Sequence, residues 1–291
     1  MKRLALGLAL FAAVVLPARA DAPRLSNGTL TPRSASGGLE AAVQMLVRAG
    51  DAPRWIGWSV ASDRPRESCC WESWNGNQGC YGCRLEGDAS STGLKQAAPG
   101  VVRLEGDPTL LVLLRAEKGV VTKMKHVSGE CPLDGGGTTL FFLTDVKSAE
   151  SVRFLATFLA TSGERSERRL ADQALSALAM HADAAALDVL IDRARTGAST
   201  HVRGQSLFWL GQRAGDKAVA TITRAIEDDP ETEVKKKAVF ALSQLPKDEG
   251  VPLLIQQARA NKNAAVRKQA FFWLGQSKDP RALHFFEEVL K

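Results

Sequence analysis

The sequence predicts a multidomain chain: an all-α stack of helical repeats (an α-solenoid) behind, fused to a small, strand-rich α+β domain with a Cys-rich loop in front. Three observations predict it. One helical segment recurs at a constant spacing of 32 residues, several short strand-like runs precede the recurrence, and all five cysteines fall before it.

The recurring segments begin at Leu170, Val202, Val234 and Val266 and read LADQALSALAM, VRGQSLFWLGQ, VKKKAVFALSQ and VRKQAFFWLGQ. Leu178, Leu210, Leu242 and Leu274 share one column, Phe208, Phe240 and Phe272 another, and Ala174, Ser206, Ala238 and Ala270 a third that stays small. A fixed period with large, small and charged residues in constant places marks stacked repeats, which bury their apolar faces against one another. Val202, Ser206, Leu207, Phe208, Trp209 and Leu210 cover most of a helix circumference. Such a helix is expected to be buried between neighbours. Phe240→Ala should then cost about 3–5 kcal/mol, the range for a buried Phe.

Each unit has a second helix, expected at 184–195, 217–227, 249–259 and 281–290. Asp183, Asp216, Asp248 and Asp279 stand just before them as N-cap candidates, since a short carboxylate can accept the orphan first-turn N–H groups. Segment 149–161 sits one period before the second helix of the next unit, with Leu155 in register with Leu187 and Val219. It reads as a half-repeat, so the repeat region is expected over 149–291.

The front of the chain divides differently. Lys2 and Arg3, an apolar run over 4–16 and Ala18-Arg19-Ala20 form the pattern of a signal peptide over 1–20, cleaved between Ala20 and Asp21. Residues 21–37, rich in Pro, Ser, Thr and Gly, are expected to be a flexible leader. Residues 38–148 then form the α+β domain: a helix at 38–48, and strands at 55–60, 100–104, 109–115, 120–127 and 138–143, bounded by Gly, Pro or Asp turns. An exported, soluble protein of the periplasm or the extracellular space follows from the leader pattern, with no stable membrane insertion after its removal.

Export alters the charge argument. Residues 21–148 carry 14 basic and 14 acidic side chains, and residues 149–291 carry 21 and 18. A nucleic-acid partner would need a concentrated basic face, and neither half has one. Arg203, Arg267 and the run Lys235-Lys236-Lys237 could align as a stripe, but the acids Asp228, Asp229, Glu231 and Glu233 just upstream favour a solvated helix start.

Cys69, Cys70, Cys80, Cys83 and Cys131 are the sharpest chemical feature. Export favours two structural disulfides among them. A zinc site using Cys69, Cys80, Cys83 and Cys131, with Cys70 or His126 as substitutes, is the second reading. A dithiol at Cys80 and Cys83 is the third, although a redox pair belongs at a helix start and this one precedes a strand. Trp55, Trp58, Trp71 and Trp74 gather nearby, either as a ligand platform or, more simply, as core. Asp134-Gly135-Gly136-Gly137 reads as a hairpin turn. Ser-His-Asp arrangements, phosphate loops and dinucleotide fingerprints are missing.

Val-Arg-x-x-Ala-x-x-x-Leu-Gly followed by a Lys-Asp-Pro turn resembles the HEAT-like repeat of the phycobilin-lyase type. Val266, Arg267, Ala270, Leu274, Gly275, Lys278, Asp279 and Pro280 carry the likeness best, followed by Val202, Arg203, Leu210 and Gly211. It implies a helical stack whose concave surface contacts protein. Relatives of this class include hydroxylases that hold iron through His-Glu steps. Here the histidines precede Val127, Ala182, Val202 and Phe285, so that step is missing from the sequence. The front half is similar to the N-terminal regions of exported bacterial HEAT-repeat proteins through Cys69-Cys70, Cys83-Arg84-Leu85-Glu86 and Cys131 with Asp134, Gly136 and Gly137.

The functional expectation is a non-catalytic scaffold or adaptor that binds protein partners in the cell envelope, without a cofactor. Asp188, Asp192, Arg224, Gln256, Gln257, His284 and Glu288, on the second helices, are the expected contact residues. The rival is a metal- or thiol-dependent enzyme, or a ligand-binding protein, centred on the Cys/Trp loop at 69–83.

Overall fold

The computed structural model describes residues 22–63, 83–87, 108–160 and 163–291. The expected signal sequence with its Ala20/Asp21 cleavage site, Cys69, Cys70, Cys80, Trp71, Trp74 and the expected strand at 100–104 lie outside the described residues.

The front domain is built on a five-stranded sheet. In chain order its strands are β2 (Thr29–Ser34), β3 (Arg54–Ala61), β5 (Thr109–Glu117), β6 (Val120–Ser128) and β8 (Thr139–Thr144). In space they run β2-β8-β3-β5-β6. The β3–β5–β6 pairs are antiparallel, while β2 and β3 flank β8 in parallel. A second, three-stranded sheet has the order β1-β7-β4, from β1 (Leu25–Ser26), β4 (Cys83–Arg84) and β7 (Leu133–Asp134).

The expected flexible leader at 21–37 is corrected by these strands. Thr29, Leu30 and Thr31 fit a pleat, and β2 lies at a sheet edge, where Pro32 need not donate to a further neighbour. The hairpin reading of Asp134 to Gly137 is corrected as well, because β7 and β8 belong to different sheets. Strand pairs β1–β7 and β2–β8 run side by side and turn together from the small sheet into the large one. Glycine is required at this corner: a Cβ on Gly28 would meet the Thr138 carbonyl at 2.8 Å, and one on Gly135 the Asn27 carbonyl at 3.0 Å. Asp134 Oδ1 accepts from Gly136 N and Asn27 Nδ2, at 2.9 and 3.0 Å.

Side-chain alternation along the strands sorts the core into two faces. Ile56, Trp58, Val60, Val112 and Leu114 face the helices α1 (Leu39–Arg48), α2 (Ser148–Thr157) and α3 (Arg165–Met180). Trp55, Leu111, Leu113, Leu140 and Phe142 face the small sheet, where Leu85, Cys131 and Leu133 complete a second cluster.

From α3 onward helices alternate: α4 (Ala184–Thr196), α5 (Thr200–Arg213), α6 (Asp216–Asp228), α7 (Thr232–Gln244), α8 (Lys247–Ala260), α9 (Ala264–Gln276) and α10 (Pro280–Val289). The first helices α3, α5, α7 and α9 pack on one another more extensively than the second helices do. The small column allows this, with Ala174, Ser206, Ala238 and Ala270 fully buried. Of the four N-cap candidates, Asp183 and Asp279 cap α4 and α10, accepting from Ala185 N at 3.0 Å and Arg281 N at 2.9 Å. Asp216 and Asp248 lie inside α6 and α8, whose caps are Gly215 and Pro246. There they favour the positive helix end by charge alone.

The two halves share α3. Its inner face covers β5 and β6, and Ser176 Oγ lies 2.9 Å from His126 Nε2. At the end of β3, Ser62 Oγ donates to the Met180 carbonyl at 2.8 Å and Ala182 N to the Ala61 carbonyl at 3.0 Å. Arg213 of α5 then bonds the Ala179 and His181 carbonyls and pairs with Asp63. The sheet therefore forms a capping layer on the first repeat.

Candidate functional site

The Cys/Trp region comes out as core wherever it is described. Trp55 and Trp58 are fully buried on opposite sheet faces. Trp55 Nε1 donates to Glu86 Oε1 at 2.8 Å, and Trp58 Nε1 to Ser151 Oγ at 2.9 Å. A ligand platform through those two residues is excluded by that burial. Cys131 is buried and Cys83 half-buried in the Trp55 cluster. Glu86 also accepts from Arg115 Nε at 2.7 Å, so the Cys83-to-Glu86 strand is tied across the sheet. Among the described residues, no three His, Cys, Asp or Glu side chains come together as a metal-binding group.

The expected contact residues sit on the second helices and are mostly paired. Asp188 faces Lys217 at 3.9 Å, Asp192 faces Arg193 at 3.8 Å, and His284 Nε2 lies 3.1 Å from Glu288, which also pairs with Arg259. Arg224 and Gln256 are exposed at the rims of two inter-helix clefts. Gln257 is corrected: it is buried, and its Oε1 accepts from Asn261 Nδ2 at 2.7 Å. Its place one residue beyond Gln256 turns it toward the stack. The residues do not converge on one site. They also lie on the wider-spaced layer. A stack closer on one layer bends toward that layer, which puts the concave side on the first helices.

The basic stripe dissolves for a reason the register explains. Arg203 and Arg267 each donate back to a carbonyl at the end of the preceding helix: Gly197 at 2.9 Å and Asn261 at 2.8 Å. Lys235 does the same to Glu227 at 2.6 Å. Arg203 adds a two-pronged pair with Asp229, at 2.8 and 3.1 Å, with both side chains nearly buried. Lys236 pairs with Glu233 at 3.0 Å. These cations satisfy helix C-termini and hold consecutive units together.

The first-helix face carries what the sequence reading missed. The Phe column is not interior: Phe208 and Phe240 are half-buried, and Phe272 is 53% exposed. The Phe208 and Phe240 rings stack at 5.8 Å and 9°, Phe240 meets Trp273 at 4.8 Å, and Trp273 meets Phe272 edge-on at 4.9 Å. On one side of this ladder stand Gln212, Gln244 and Gln276, with Gln212 Nε2 donating to Gln244 Oε1 at 3.2 Å. On the other stand Lys237 and Lys268, whose ammonium groups have no partner among the described residues. The signal was present in the sequence: the apolar column is bracketed in each of the last two units by polar residues three or four positions away, which marks an open helix face rather than a core one. Phe240→Ala should accordingly cost less than the full ~3–5 kcal/mol of a buried Phe.

The HEAT-repeat family matches residues 187–270 and 219–291. Residues 187–291 carry HEAT repeats. No curated protein matches the chain. Among solved structures, human deoxyhypusine hydroxylase in complex with glycerol aligns over 47% of this chain at 20% identity, with a TM-score of 0.34. The chain spans only 43% of that hydroxylase. The complex of CpcE and CpcF of phycocyanin lyase from Nostoc sp. PCC7120 aligns over 45% of this chain and 86% of its own, at 25% identity and a TM-score of 0.31. Ahead of the matched residues, α2 and α3 pack on both the strands and the next helices.

Proposed function

We propose that this chain is a non-catalytic protein-interaction scaffold of the cell envelope, exported by the signal sequence at 1–20. The supporting observation is the HEAT array itself. It offers a continuous surface across four stacked units of paired helices. The front domain closes the first end of the stack and stiffens it, and the Cys-bearing strands at Cys83 and Cys131 add a second contact surface. Disulfides among the five cysteines, in an oxidising compartment, belong to the same reading.

Affinity capture from native envelope with the full chain as bait, followed by mass spectrometry, tests this reading. A defined protein partner, recovered in stoichiometric amount, is the expected result. Turnover of a small molecule, or stoichiometric zinc lost on Cys80→Ser, would replace it with the metal- or thiol-dependent reading.

A further inference from the structure

We propose that the first-helix face of α5, α7 and α9 docks an extended, acidic segment of a partner protein that carries aromatic or aliphatic side chains. This rests on the scaffold reading and assigns its surface and partner chemistry.

Three features of the face select that occupant. The Phe208–Phe240–Trp273–Phe272 ladder is continuous across three helices, so it runs along the stack and not along any one helix. An occupant covering it must be elongated in the same direction. The Gln212, Gln244 and Gln276 amides recur once per unit beside the ladder. Gln212 and Gln244 are bonded to each other, and the exposed Gln276 amide can both donate to and accept from the N–H and C=O groups of an extended backbone. Lys237 and Lys268 flank the other side with no partner for their charges among the described residues. Gly204 makes room for the first of them: any side chain at Gly204 would collide with the Lys237 stem, which crosses α5 there.

The unpaired cations decide the sign of the partner. On the second-helix face Asp188, Asp192 and Glu288 already hold basic partners. On the first-helix face Glu233 holds Lys236, and Asp172 Oδ1 lies 2.6 Å from His201 Nε2. Lys237 and Lys268 are left to a carboxylate from outside. Aromatic rings beside them supply desolvated area, and the lysines supply orientation and salt sensitivity.

The test uses the full chain and a fluorescein-labelled peptide of alternating Glu and Leu with one central Phe, read by anisotropy. Its counterpart has Lys in place of every Glu. The acidic peptide should bind, and binding should weaken with added salt. Lys237→Glu combined with Lys268→Glu should weaken it by about tenfold or more. Phe272→Ser should weaken it too, and since Phe272 is 53% exposed that variant keeps its fold. Arg48→Glu combined with Lys123→Glu makes the same change in net charge on the front domain and should leave binding as it was. Equal binding of the Lys peptide, or equal loss in the front-domain variant, overturns the proposal. So does failure of the acidic peptide to bind a chain that still captures its partner from envelope. If no partner is captured at all, the scaffold reading itself fails.

Discussion

Gly211 of α5 lies against the backbone of Ala241 in α7, so that a Cβ at Gly211 would come within 2.6 Å of the Ala241 carbonyl oxygen. Its register partner Gly275, two periods further on, meets nothing nearer than the Phe286 ring at 4.0 Å. One column of the repeat therefore holds two glycines with opposite physical roles. Gly211→Ala should force α5 and α7 apart and cost roughly 1–3 kcal/mol. Gly275→Ala should stabilise the chain by about 0.5–1 kcal/mol through helix propensity and reduced unfolded-state entropy. Urea midpoints of the two variants, measured side by side, check both signs.

Ser206 occupies the small column where the other units have Ala174, Ala238 and Ala270, and its buried hydroxyl has no hydrogen-bond partner among the described residues. Burying an unpaired hydroxyl costs about 1–3 kcal/mol. Ser206→Ala removes that cost without opening a cavity the neighbours do not already tolerate. A thermal melt should move upward, and a downward move would contradict the register assignment.

Arg203 and Asp229 form a nearly buried pair that joins α5 to the end of α6. Asp229→Ala leaves the guanidinium buried and unpaired, at a cost of roughly 3–5 kcal/mol. Adding Arg203→Met should recover part of that loss. A double-mutant cycle in urea should therefore report a coupling of about 1.5 kcal/mol or more. A cycle that closes to zero would mean that the pair is only a surface contact.

Two buried histidines at the junction make stability depend on pH. Burial pushes His126 down from 6.5 to about 4, with only the uncharged Gln173 and Ser176 facing it from α3. Burial also lowers His181, against the pull of Asp183 and Asp63 and with the help of Arg213. Above the ordinary histidine pKa both states are neutral and nothing is lost. As pH falls below about 6.5 the unfolded chain takes up protons that the native His126 refuses, so stability drops until about pH 4 and then levels for this group. The loss from His126 should be on the order of 2–3 kcal/mol. Urea titrations across that window should show the drop, and His126→Gln should flatten most of it.

How far the sequence carried the reading differs from element to element. The 32-residue register was legible because each unit repeats the same burial problem, so Leu178, Leu210, Leu242 and Leu274 had to fall in one column. The strands at Trp55, Thr109 and Val120 were legible as short apolar, β-branched or alternating runs bounded by Gly, Pro or Asp turns, since strands covered on both faces read as nearly continuous apolar runs. The leader was misread because Pro and Ser composition speaks for loops, and only a neighbouring strand such as β8 could make an edge strand of it. The same applies to Asp134 to Gly137: its local chemistry fits a hairpin, and only the parallel partner at Asn27 and Gly28 makes it a corner.

Sequence alone determined the architecture: a helical stack of constant period behind a cysteine-bearing sheet domain. Only the tertiary structure decided which surfaces are free. Periodicity reports that Phe208, Phe240 and Phe272 share a face, but whether that face meets another helix or solvent depends on the spacing between neighbouring units. That spacing follows from Gly211 and the small column, through contacts between helices that a single sequence does not order in space. The same contacts used up Arg203, Lys235 and Arg267 in joining the units and left Lys237 and Lys268 without a partner among the described residues.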